Sequence, residues 1–146
     1  MHNILPEFII ISAHLKAKTE VENALRNVQL KNLLKDLQIN HKEVEGYFNN
    51  TKENCIFIQL HGDNKYDLEF FVHLACIEFN QECILYRDSN NSMYLKYFKN
   101  NKPHSQCIGK GRFINERDIP RNFSALYGAY THFTLTRTYL VAVNDG

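Results

Sequence analysis

The chain has 146 residues, 44% of them hydrophobic, with 10 Phe, 8 Tyr and no Trp. That is enough apolar side chain for a single domain over residues 1–146 with a real core, and it excludes a disordered chain. Seventeen basic against 16 acidic residues give a net charge of +1, which argues against general nucleic-acid binding, because such domains are strongly basic.

No apolar run approaches the ~18 residues of a membrane-spanning helix. Met1 to Glu7 lacks the basic start and apolar stretch of a signal peptide, so the expectation is a cytoplasmic protein. Cys55, Cys76, Cys83 and Cys107 form no C-x-x-C pair and the seven histidines are dispersed. The pattern predicts reduced thiols, no metal and no cofactor.

Phe8 to Ala13 is a β-branched run and reads as a buried strand. Thr19-Glu20-Val21-Glu22 has the capping-box form, which starts a helix ending near Gln38. Its apolar positions are Val21, Ala24, Leu25, Val28, Leu33, Leu34 and Leu37, a helical spacing that predicts one buried face. Glu20, Asn23, Arg26, Asn27 and Lys31 fall on the opposite, polar face.

Val44 to Phe48 and Cys55 to Leu60 read as strands joined by a turn at Asn49 to Lys52, and His61 to Lys65 reads as a loop. Asp67 caps a second helix with Leu68, Phe71, Leu74 and Ala75 on its apolar side. Cys83 to Tyr86 and Met93 to Phe98 read as a hairpin around Asp88 to Ser92. In the C-terminal third, Pro120 to Tyr127 reads as a short helix and Thr131 to Val143 as one long strand.

The order up to Tyr86 is β-α-β-β-α-β, the ferredoxin-like order. The expected fold is therefore α+β: two helices on one face of an antiparallel sheet, which the C-terminal strands extend. Leu25, Leu33, Phe57, Phe71 and Leu85 are the expected core.

Residues 8–95 carry Ser12-Ala13 at a strand end, then Glu22-Asn23-x-x-Arg26-Asn27-x-x-Leu30 on the first helix. Gly46, Glu53 and Phe79-Asn80-Gln81 before Ile84-Leu85-Tyr86 follow. In these features the chain resembles a family of short bacterial and phage proteins classed as a domain of unknown function. The E-N-x-x-R-N-x-x-L run is the most specific piece. His14-Leu15-Lys16 departs from that family's Asn-Pro turn. The resemblance implies a fold, a candidate surface and a phage origin, with no activity attached.

Three constellations are candidates for chemistry. Ser12, His14, Lys16 and Lys18 leave the first strand near Asn23, Arg26 and Asn27, with Glu53 and Gln81 at later strand starts; together they offer groups for a polar ligand. Gly109-Lys110-Gly111-Arg112 combines backbone access with alternating cations suited to a phosphate, with Arg137 nearby in sequence. It lacks the spacing of a P-loop. His132-Phe133-Thr134 is half of a two-histidine phosphoesterase signature without its second copy. Tyr127 and Tyr130 belong to an aromatic run able to stack a base.

These readings converge on a non-enzymatic, phage-encoded binding protein for a small anionic, nucleotide-like ligand, one that sequesters a host signalling nucleotide as counter-defence. Lys110 and Arg112 would hold phosphates, drawing on Arg26 or Arg137, with Asn23 and Asn27 nearby, and Tyr127 or Tyr130 would stack the ring. Two other readings stand beside it: a protein-interaction module that inhibits a host protein, and a phosphodiesterase using His132. Oligomerisation is left open.

Overall fold

The computed structural model describes residues 5–49, 51–60 and 64–144. The first four residues, Asn50 of the predicted turn and His61, Gly62 and Asp63 of the predicted loop lie outside the described residues.

The chain opens with β1 (Phe8–Ser12), α1 (Glu20–Asp36), β2 (Lys42–Phe48) and β3 (Thr51–Gln59). Next come α2 (Leu68–His73), which runs into a π-helical turn at Leu74–Glu78, and β4 (Ile84–Arg87). The rest is β5 (Ser92–Lys99), β6 (Lys102–Asn115), a 3-10 turn at Glu116–Asp118, α3 (Phe123–Leu126), β7 (Ala129–Phe133) and β8 (Thr138–Val143). Thr19 caps α1 through a full capping box with Glu22, and Asp67 caps α2 by accepting from the Phe70 amide. Among the described residues no helix is long and apolar enough to cross a membrane.

The eight strands form a closed antiparallel barrel in the order β1-β3-β2-β7-β8-β6-β5-β4, with β4 pairing back onto β1. This overturns the ferredoxin-like expectation. The element order up to β4 is as read from the sequence, but the sheet does not stay open. Two features of the C-terminal third close it. Lys102–Asn115 is one strand of 14 residues, paired first with β5 and then with β8. The long strand expected from Thr131 is instead a hairpin: Arg137, at φ 55, sits in a turn between β7 and β8.

Closure divides every strand into an inner and an outer set of residues, because side chains alternate along a strand. Ile9, Ile11, Ile56, Ile58, Ile84 and Tyr86 face outward and pack with Leu30 and Leu34 of α1 and with Phe71 and Val72 of α2. Phe8, Ile10, Val44, Cys55, Met93 and Leu140 form a second core inside the barrel. One end of the barrel is filled by aromatic rings. Phe57 lies 4.9 Å from Phe8 and 5.5 Å from Phe133, and the Arg87 guanidinium sits 4.5 Å above the Phe8 ring.

The α1 helix is rotated relative to its expected face. Asn23, Asn27, Leu30 and Leu34 are buried, whereas Val21 is 80% and Leu25 59% exposed. Leu25 therefore leaves the expected core, and Leu33, Phe57 and Leu85 are only partly buried; Phe71 is fully buried. The reason is hydrogen bonding. The Asn23 amide accepts from the Leu15 N–H at 2.9 Å and donates to the Leu15 carbonyl at 3.0 Å, so the polar side of the helix is drawn inward onto the β1–α1 loop.

These burials predict opposite outcomes for two large apolar residues. Phe71→Ala should lower unfolding stability by about 3–5 kcal/mol. Leu25→Ala should change it by no more than about 0.5 kcal/mol. Urea unfolding of the two variants checks both values.

Candidate functional site

The barrel end opposite the aromatic plug is open. There the ends of β1, β2, β3, β4 and β7 surround a cavity of about 520 Å³, within the ~300–1,000 Å³ of small-molecule sites. An eight-stranded barrel has an interior wide enough for side chains to fill or for one small ligand. In this chain the aromatic rings take one half and the cavity the other.

Gly46 and Glu53 face each other across the β2–β3 pair. A side chain on residue 46 would meet Cys55 Sγ at 2.6 Å, so the glycine leaves room directly opposite the glutamate. Ser12, Gln81, Cys55 and Cys83 complete the inner wall, with Leu85, Leu95 and Ile108 behind them. Cys55 Sγ lies 3.7 Å from Glu53 Oε1. Burial pushes the Cys55 thiol well above its ordinary range, with the nearby Glu53 adding to the effect. Cys83 is raised in the same direction, again chiefly by burial. Both therefore stay neutral. Among the described residues that line the cavity, Glu53 is the one acidic or basic side chain.

Tyr47, Phe48, Leu126, Tyr127 and Tyr130 border the cavity mouth. The Tyr47 and Tyr130 rings stack on each other at 4.8 Å with an interplanar angle of 14° on the outward side of β2 and β7, where Tyr47 donates to Glu45 and Tyr130 lies 5.6 Å from Tyr139. Phe123, buried, packs against this outer aromatic cluster from α3, with its ring 4.8 Å from Tyr130 and 5.1 Å from Tyr127.

Of the residues expected to bind a ligand, Tyr127 and Tyr130 line the cavity and the others do not. Asn23 is occupied with the Leu15 backbone. Arg26 donates through Nε to the Ala13 carbonyl at 2.7 Å and through Nη2 to the Phe79 carbonyl. Asn27 is buried under α1. Lys110 donates to the Asn90 carbonyl and the Ser92 hydroxyl, and Arg112 is exposed on β6. Gly109, at φ 124, serves the bulge where β6 shifts register against β5, and Gly111 makes room for Asn91 and Met93. The glycine-cation run is thus strand and bulge, and it builds no phosphate cradle with Arg26. Arg137 is an exposed turn residue 3.8 Å from Glu116.

His132 lies on the outer barrel surface. Its ring stacks on Tyr139 at 4.3 Å, Nδ1 is 3.1 Å from Glu45 and Nε2 is 3.5 Å from Glu116. Lys52, bonded to Glu45 at 2.9 Å, and to a lesser degree His132, hold the Glu45 carboxyl below its usual range. His132 is therefore part of a surface ion network apart from the cavity. A phosphodiesterase built on it has no geometric support here.

The S-Adenosylmethionine lyase family model matches residues 9–143. The chain belongs to the S-adenosylmethionine lyase family. No curated protein matches it. The lyase match runs on through β8, well past the residues 8–95 that carried a likeness to proteins without an assigned activity. A lyase family is a family of enzymes, which overturns the expectation of a non-enzymatic nucleotide sponge. Among the described residues lining the cavity there is a carboxylate and no guanidinium or ammonium group.

Glu53 and Gln81, noted in the sequence only as polar groups at strand starts, are the cavity's charged and amide side chains. Alternation along β3 places Glu53, Cys55 and Phe57 on one face, but nothing local marks that face as the inside of a barrel.

The thiol environments are measurable. At pH 8, iodoacetamide should modify exposed Cys107 first and buried Cys55 last in the native protein. Peptide mass mapping over a time course would show the order.

Proposed function

We propose that this protein cleaves S-adenosylmethionine without water, at the bond between sulfur and the aminobutyryl chain, inside the open half of the barrel. The observation that carries the reading is Glu53: a lone carboxyl side chain in a cavity otherwise lined by apolar, hydroxyl, thiol and amide groups. Such a cavity attracts a cationic ligand and disfavours an anionic one. S-adenosylmethionine carries a sulfonium and an α-ammonium, together with a flat aromatic base suited to the apolar wall of Leu85, Leu95 and Ile108.

The chemistry follows from the substrate's own groups. Its carboxylate oxygen attacks the γ-carbon, a five-membered ring closes, and the γ-carbon–sulfur electron pair moves onto sulfur. The products are homoserine lactone and the neutral thioether methylthioadenosine. No proton is transferred. The step brings together a carboxylate and a sulfonium and removes both charges, so a site that withholds water from them lowers the barrier relative to bulk water.

Glu53 serves this best against the α-ammonium, whose charge persists through the step. Placed against the sulfonium it would hold the reactant more tightly than the transition state and slow the reaction. Anchoring the ammonium instead folds the arm so that carboxylate and γ-carbon meet.

Glu53→Gln should lower kcat/KM by about 10- to 100-fold, the equivalent of the ~1.5–3 kcal/mol of a hydrogen bond to a charged group. Chromatography should show methylthioadenosine and homoserine lactone as paired products. In ¹⁸O water, homoserine from later ring opening should carry label only in its carboxyl group. Label in the γ-hydroxyl would mean hydrolysis, and an alkenyl amino acid would mean elimination; either result overturns ring closure.

A further inference from the structure

Gln81 donates through Nε2 to the His14 carbonyl at 2.9 Å and to the Phe79 carbonyl at 3.3 Å. Two carbonyls around one amide atom require that atom to be the NH₂ group. Oε1 is then the atom of this cavity-lining side chain that remains to meet a ligand. Gln81 thus presents an acceptor, fitted to an N–H donor such as an ammonium or an exocyclic amine.

Arg26 closes on the same backbone. Its Nε donates to the Ala13 carbonyl at 2.7 Å, its Nη2 donates to the Phe79 carbonyl, and its guanidinium lies 5.8 Å from the centre of the Phe79 ring. Arg26 and Gln81 therefore share the Phe79 carbonyl and take the adjacent carbonyls of Ala13 and His14. Between them they join the segment after β1 to the segment before β4, the two that flank Gln81 at the cavity. Asn23 pins the next residue, Leu15.

We propose that Arg26 is a positioning residue that fixes the orientation of Gln81, so that the cavity offers the Gln81 oxygen to an N–H donor of the substrate. This deepens the reading of the cavity as the S-adenosylmethionine site and rests on it for the identity of the donor. The planar guanidinium reaches two carbonyls at once, which a lysine ammonium in its place does not reproduce. The donor keeps its proton through ring closure, so the contact strengthens binding of substrate and transition state alike.

The test has two arms. In the first, ¹⁵N NMR follows the Gln81 side-chain amide, identified by its loss in Gln81→Ala. Wild type should give a rigid, slowly exchanging NH₂, and Arg26→Ala should release it. Should Arg26→Ala not fold, Arg26→Lys should release the amide in part. An amide unchanged in the variant that folds overturns the proposal.

In the second arm, Arg26→Ala should raise KM about tenfold, as for loss of one hydrogen bond, with kcat held within about twofold. The double variant with Gln81→Ala should be no worse than Gln81→Ala alone. Multiplying effects would show that Arg26 acts independently of Gln81 and would overturn it. The amide arm uses no substrate, so a wild type that leaves S-adenosylmethionine intact refutes the lyase reading while the NMR result still decides the role of Arg26.

Discussion

Closure of the sheet is the constraint on which the other features depend. Once β4 pairs with β1 and β6 with β8, the alternation of side chains along each strand becomes a division between the inside of the barrel and its outside. A one-residue slip in any strand would exchange the two sets. The inward set is graded along the barrel axis. Phe8, Phe57 and Phe133 fill one end, Ile10, Val44, Cys55, Met93 and Leu140 fill the middle, and Ser12, Gly46 and Glu53 stand at the other. The cavity is what remains where the inward residues become small or polar.

The outward set explains how the polar residues of α1 are used. Ile9, Ile11, Ile56 and Ile58 need a cover, and Leu30 and Leu34 with the second helix supply it. The helix meets this apolar surface with one end only. At its start, Asn23 and Arg26 are turned inward and spend their donors and acceptors on the backbone of the loop after β1. A buried amide or guanidinium costs stability unless its hydrogen bonds are made, and these residues find them in loop carbonyls. Val21, Leu25 and Val28 are left outside as a consequence.

Charge decides which ligand the cavity suits. The chain's cations are numerous, but the ones expected to gather around a phosphate are dispersed over the barrel exterior, in a turn and in a loop cross-link. Lys110 holds the β4–β5 hairpin, Arg26 holds two loops, and Arg137 and Arg112 face solvent. Among the described residues lining the cavity a single glutamate carries charge, set in mostly apolar surroundings that make it felt strongly. The same low polarity favours a reaction in which opposite charges disappear, as they do in the ring closure we propose.

The sequence by itself determined the local elements. Phe8 to Ser12 is a strand because of its β-branched run, Thr19 and Asp67 cap helices through side-chain oxygens, and Asp88 to Ser92 is a hairpin turn held by the Asp88 carboxylate. These are short-range effects, written within four residues. Tertiary structure alone decided the closed barrel, because a strand such as Lys102–Asn115 carries too many polar residues and glycines to be recognised before its partners β5 and β8 lie beside it. It also decided the candidate site. Glu53, Gln81 and Tyr130 come from distant parts of the chain, and only the pairings of β3 with β1 and of β7 with β2 bring them around one volume. Which face of a strand points inward is a property of the assembled sheet, since a strand's own residues alternate in the same way whichever side becomes the interior.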